Sequence, residues 1–228
     1  MLREAGGGGT KASSSDWWKA RHALLVGVGL VALQQLTGQP SVLYYQEAIF
    51  RDAGFGAMAA SASVIVGAAK LLATLTTVAS VDRFGRRPLL MIGVAMMLVA
   101  LLALSVAFRV GKSAGGSVVV LALVTFVCGY QVGFGPVTWL LISEIFPLRL
   151  RTTALSLAVV ANFGLNLLVA ITLEPLQAAV GQSYLFLLYA ALCVVSLVFI
   201  ARVVPETKGK SLEEIEGMLR GRWGANFA

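Results

Sequence analysis

The sequence predicts an all-α, polytopic membrane protein with six spanning helices, and three observations carry that prediction. The first is composition: 58% of the 228 residues are hydrophobic and only 13% charged, with a mean hydropathy of +0.84. That is far more apolar than one soluble core requires. The second is run length, since a spanning helix needs about 20 mostly apolar residues and six stretches qualify: 22–50, 57–81, 89–110, 118–146, 152–180 and 183–204. The third is charge asymmetry. Fourteen of the 18 lysines and arginines fall on the side shared by the two termini, against Arg51, Arg109 and Lys112 on the other. An excess of Lys and Arg marks the cytoplasmic side, so both termini are expected there.

Three regions follow: a flexible cytoplasmic lead-in over 1–21, a six-helix bundle over 22–204, and a cytoplasmic tail with a short helix over 205–228. The lead-in is rich in Gly and Ser and has no apolar core of its own, unlike a signal peptide. The net charge of +7 is accounted for by the topological bias and by contact with anionic headgroups, which leaves no nucleic-acid signal. His22 is the single histidine, and Cys128 and Cys193 both lie in apolar runs. No metal site and no cofactor are therefore expected. A serine or cysteine hydrolase would need a base that this chain lacks within the membrane, so an enzyme is not expected.

The first span contains QQLTGQPSVLYY, residues 34–45, an unusually polar stretch for its place. Gln35 and Gln39 are four apart, with Gln34, Gly38 and Tyr45 on a neighbouring flank. The second span carries Ser63, Gly67, Lys70, Thr74 and Thr77 at spacings that share one helical face. Lys70 lies near its middle, where an unpaired ammonium costs at least about 3 kcal/mol. The fourth span repeats the pattern with Gln131, Gly135, Thr138 and Trp139, Tyr130 beside them and Pro136 interrupting the helix. In the fifth, Asn162 and Asn166 are four apart with Phe163 adjacent. The first, fourth and fifth spans are long and interrupted, which predicts kinked or broken helices. Amides that donate and accept, together with aromatic rings, suit a neutral polyhydroxylated ligand. The same residue types also hydrogen-bond membrane helices to one another.

Two loops and the tail gather charge at one membrane level. VDRFGRRPLL holds Asp82, Arg83, Arg86 and Arg87. SEIFPLRLRTTA holds Glu144, Arg149 and Arg151, and VPETKGKSLEEIEGML follows the last span. Asp82, Arg83, Arg86, Arg87, Glu144 and Arg151 are expected to form a breakable salt-bridge latch between helices, with Gly135 and Pro136 as a hinge. Ser211 followed by Glu214 is a capping box, so LEEIEGMLR should be helical.

These motifs together resemble the sugar porter family of the major facilitator superfamily. QQLTGQPSVLYY looks like its seventh-helix signature, DRFGRRP its loop between helices eight and nine, GPVTWLLISEIFPLRLR its tenth helix and following loop, and PETKGKSLEEIE its C-terminal signature. QPSVLYY and Lys70 most resemble the plant D-xylose–proton symporter-like and organellar hexose carriers. The resemblance implies the second of two six-helix halves that rock against each other around a midplane site. It implies substrate contacts at Gln34, Gln35, Gln131, Trp139 and Asn162, with Tyr130, Phe163 and Asn166 close by. Many members have Asn where this chain has Pro40 and Lys70, Glu where it has Gln131 and Trp where it has Phe163. Lys70 then either donates to a sugar hydroxyl or answers a carboxylate on the facing half.

The implied partners are a hexose or pentose, protons in the symporters, the lipid bilayer, and either a missing N-terminal half or a partner chain. The membrane carboxylate that accepts the proton in symporters belongs to the first half, so coupling is not assigned to any residue here. The competing reading is a non-transporting membrane protein that pairs with a full-length carrier and modulates it.

Overall fold

Prolines decide where the apolar runs break. A proline inside a helix has no N–H to give and its ring clashes with the carbonyl four residues earlier. In the computed structural model, which describes residues 20–51, 59–111 and 116–224, three helices end four residues before a proline. Helix α1 (Arg21–Leu36) ends before Pro40, and α2 (Gln39–Phe50) begins with that proline in its first turn. Helix α3 (Ala59–Phe84) ends before Pro88, which sits in the first turn of α4 (Arg86–Val110). Helix α5 (Gly116–Val132) ends before Pro136, in the first turn of α6 (Phe134–Ile145). Two uninterrupted apolar helices follow, α7 (Leu148–Val180) and α8 (Gln182–Arg202), and then the tail helix α9 (Leu212–Gly224). All the regular structure among the described residues is helical.

Several boundaries differ from expectation. The span predicted over 22–50 is two helices of 16 and 12 residues separated at Gly38, whose φ of 90° lies in the left-handed region. Gln35 and Gln39 are therefore not one turn apart on a single helix. The fifth span is not broken: α7 runs 33 residues with Pro175 inside it. In the fourth span the break falls at Gly133, not at the predicted hinge Gly135 and Pro136, which lie inside α6. Pro136 is still the cause, acting on the carbonyl of Val132 four residues upstream. Five segments are long and apolar enough to cross a membrane, α5 and α6 counting together as one; the divided first run is not among them. The lead-in lies outside the described residues apart from its last two.

Helix α4 is central. It packs most extensively against α5 and α8, while α1 lies against α7 and α6, and α3 against α5. Its buried face recurs at helical spacing through Leu90, Gly93, Val94, Met97, Leu101 and Leu104, the pattern of a helix enclosed on one side. In lipid the drive for such contact is close packing, because exposed apolar side chains are already well solvated. Gly93 supplies it: a Cβ there would lie 2.4 Å from the Gly129 carbonyl oxygen. Helices α3 and α7 instead leave large apolar side chains uncovered, among them Ile65, Leu72, Val160 and Ile171.

Candidate functional site

The polar residues collect where α1 breaks. Gln34 and Gln35 occupy its last turn, 2% and 3% exposed. Gln34 Nε2 donates to Tyr130 Oη at 2.7 Å and to the Phe134 carbonyl at 3.3 Å, tying α1 to both sides of the α5–α6 break. Gln35 Nε2 donates to Asn162 Oδ1, and Asn166 Nδ2 donates to Gln35 Oε1 at 3.3 Å. Asn162 and Asn166 are one turn apart on α7 and so clasp one amide from two levels.

Two buried acceptors in this region have no donor among the described residues: Gln34 Oε1 and Thr138 Oγ1. Leaving such an atom unmet costs about 1–3 kcal/mol. A hydroxyl-bearing ligand reaching either atom would remove that cost. Trp139 is half-buried on α6 and its indole N–H has no partner among the described residues, so it can donate. Thr138 was placed on the polar face by its spacing but not singled out.

A second polar group is separate from the first. Gln131 Nε2 donates to Thr74 Oγ1, and Thr74 Oγ1 donates to the Lys70 carbonyl at 2.8 Å. Tyr130 and Gln131, adjacent in sequence at the end of α5, thus serve different clusters, one toward α1 and one toward α3. Lys70 is half-buried. Phe163 is 68% exposed on α7 and takes no part in either cluster. The side chain of Tyr45 lies outside the described residues.

At the opposite end of α4 the charged loops meet. Arg86 binds Glu144 through Nε at 3.1 Å and Nη2 at 2.8 Å, and Asp82 at 3.1 Å. Of the six residues expected in a latch, these three are ion-paired. Among the described residues Arg83, Arg87 and Arg151 are not: Arg87 donates to the Ala201 carbonyl, Arg151 donates to the Phe146 carbonyl at 3.4 Å, and the Arg83 carbonyl accepts from Lys208. Arg87 and Arg151 donate to, and Arg83 supplies, a carbonyl at a helix end, where backbone acceptors lack intrahelical partners.

The tail supplies what the sequence reading did not single out. Glu206 accepts the backbone N–H groups of Arg86 and Arg87 at 3.0 and 3.1 Å, satisfying the first donors of α4 just where Pro88 has none. A carboxylate there also complements the positive end of the helix dipole. Thr207 Oγ1 donates to the second Glu144 oxygen at 2.6 Å. The signal was present in the PET of the tail motif, directly after the last span. The capping box forms, with Ser211 N–H donating to Glu214 at 2.8 Å and Glu214 N–H to Ser211 Oγ at 3.3 Å.

Comparison with known proteins bears on this arrangement. A family model described as "Sugar (and other) transporter" matches residues 3–219. The chain is 50% identical over 200 residues to D-xylose-proton symporter-like 2 of Arabidopsis thaliana, covering 87% of this chain and 40% of that protein. It is 51% identical over 201 residues to the chloroplastic D-xylose-proton symporter-like 3 of the same plant, covering 86% and 36%. Among solved structures, the major facilitator superfamily proton:xylose symporter XylE bound to 6-bromo-6-deoxy-D-glucose superimposes with a TM-score of 0.78 at 35% identity, over 86% of this chain and 42% of that one. The chain thus spans less than half the length of these relatives. They are transporters, not enzymes. A family match over nearly the whole chain, on a membrane-helix fold shared with a solved member, shows that the protein belongs to the sugar porter family of the major facilitator superfamily.

Proposed function

We propose that this chain forms the C-terminal six-helix half of a transmembrane carrier for a hexose or pentose, working by alternating access against a second six-helix half. The observation that carries the reading is the Gln34–Gln35 pair at the α1 break, held by Tyr130, Asn162 and Asn166 from two other helices while Gln34 Oε1 stays buried without a donor. A sugar hydroxyl donates to that oxygen, Trp139 donates its indole N–H, and the Asn162–Asn166 clasp keeps the Gln35 amide oriented. The relatives spanning more than twice this length and the uncovered apolar face of α7 both support a second half packed around the site.

The breaks at Gly38 and Gly133 are the points where α2 and α6 swing, and the Arg86–Glu144–Thr207 group holds the cytoplasmic end closed in one state. Coupling to protons is included on the strength of the relatives' printed names. Its proton acceptor is assigned to the other half, as the family resemblance implies; in this half Glu47, Asp82 and Glu144 are each held by an arginine.

The test is substrate affinity in the complete carrier reconstituted in liposomes. Gln34→Ala and Trp139→Leu should each weaken sugar binding at least tenfold while membrane insertion is retained. Unchanged affinity in both variants would remove the site from this half.

A further inference from the structure

Thr138 is the buried hydroxyl that the sugar-site reading leaves without a task. It is fully buried on α6, and its Oγ1 has no hydrogen-bond partner among the described residues. With none of its surface exposed, it is also out of reach of a second half packed against this one. Threonines inside helices ordinarily turn the hydroxyl back to the carbonyl four residues earlier. Thr74, Thr77, Thr125 and Thr172 do so here, at 2.7–2.8 Å. For Thr138 that carbonyl is Phe134, and Gln34 Nε2 already donates to it from α1 at 3.3 Å.

A carbonyl oxygen has two lone pairs, and in a helix one of them serves the N–H four residues on. The Gln34 amide takes the other, which leaves no place for the Thr138 hydroxyl. The two unmet atoms of the site, Thr138 Oγ1 and Gln34 Oε1, thus belong to one arrangement. Gln34 is only 2% exposed, so a sugar hydroxyl meets its Oε1 only after the amide turns. Turning gives up the 3.3 Å bond to Phe134, the longer and weaker of the two that Nε2 makes, and keeps the 2.7 Å bond to Tyr130 as the pivot. The released carbonyl lies one helical turn from Thr138.

We propose that Thr138 is a positioning residue for the sugar site: Thr138 and Gln34 exchange places on the Phe134 carbonyl, Gln34 holding it without sugar and Thr138 taking it when the Gln34 amide turns to a sugar hydroxyl. The proposal rests on the carrier reading above and deepens it. Thr138 touches no sugar atom. It replaces the hydrogen bond that Gln34 gives up, so the amide turns without stranding a buried acceptor. The exchange also changes what holds α6. Phe134 opens that helix directly after the break at Gly133, so its first turn is tied to α1 through Gln34 without sugar and closed on itself through Thr138 with sugar.

The measurement is melting of the complete carrier without sugar, paired with its affinity for D-glucose and D-xylose. Thr138→Val removes the hydroxyl and keeps the shape. In the parent it should raise the melting temperature, because a buried unpaired group is gone. In a Gln34→Met background, where the Phe134 carbonyl is free for Thr138, the same change should lower it. Thr138→Val should also weaken sugar binding about fivefold, the effect of one hydrogen bond, while Thr138→Ser keeps the affinity even though the lost methyl lowers its melting temperature. A melting shift of the same sign in both backgrounds would overturn the exchange. Reversal of the shift with unchanged affinity in Thr138→Val would overturn its link to the sugar. A parent carrier that binds neither sugar would overturn the carrier reading, and the melting reversal, which needs no sugar, would still decide the exchange.

Discussion

The ring of Tyr189 fills the notch that Gly38 opens between α1 and α2. A Cβ added at Gly38 would come within 2.5 Å of Tyr189 Cδ2, and Tyr189 Oη lies 2.6 Å from Ser41 Oγ, three residues further on. Gly38 also has φ of 90°, a conformation that costs a side-chain-bearing residue about 1–2 kcal/mol. Gly38→Ala therefore meets both backbone strain and a collision, whereas Tyr189→Phe loses only one hydrogen bond, about 1 kcal/mol. Melting followed by fluorescence-detected size exclusion should place Gly38→Ala clearly below Tyr189→Phe. The reverse order would mean that the ring does not wedge the break.

The clasp on Gln35 predicts coupling. Gln35→Ala removes a bond from both Asn162 and Asn166, and Asn162→Ala removes the acceptor of Gln35 Nε2, so the double variant should lose less stability than the two single losses added together. A double-mutant cycle on unfolding should return an interaction of about 0.5–3 kcal/mol. A value near zero would say that the three amides are neighbours without a shared bond.

Much of this was legible in the sequence because it depends on local chemistry. Proline's clash four residues back fixes the ends of α1, α3 and α5, and the capping box at Ser211 and Glu214 needs only three residues of chain. Helical spacing placed Asn162 with Asn166, and Gln131 with Thr138, on common faces. Spacing could not say which face meets which. Adjacent Tyr130 and Gln131 point into different clusters, and Glu206 reaches back 120 residues to cap α4. Those are properties of helix packing, and a period of 3.6 carries no information about a partner's distance in sequence.

The α4 cap is the next test. Glu206 holds two helix-terminal N–H groups, and Gly85 leaves it room, since a Cβ there would fall 2.8 Å from Glu206 Oε2. Glu206→Ala should cost about 1–3 kcal/mol from the unmet donors. Glu206→Gln keeps an acceptor but loses the charge that complements the helix dipole, a smaller effect of about 0.3–1 kcal/mol. Added salt should narrow the gap between Glu206→Gln and the parent in melts, because the dipole term is screened. A gap that does not respond to salt would assign the residue's role to hydrogen bonding alone.

The contact between α4 and α5 yields a sharper prediction, because what faces Gly93 is backbone. Its added Cβ would stand 2.4 Å from both the Gly129 oxygen and the Gly133 nitrogen, and one at Gly129 would stand 2.7 Å from the Gly93 oxygen. Side chains can rotate away from such contacts; carbonyls inside two packed helices cannot without separating them. Gly93→Ala should therefore push α5 outward and carry Tyr130 away from Gln34, whose bond spans only 2.7 Å. Gly217→Ala on α9 is the control: a Cβ there meets nothing within 4 Å, and alanine is the better helix former by up to about 1 kcal/mol. Melting should fall for Gly93→Ala and hold or rise for Gly217→Ala. In the complete carrier Gly93→Ala should also weaken sugar affinity, since the residue that positions Gln34 has moved. Lower stability with unchanged affinity would show that the α5 end is not what holds Gln34 in place.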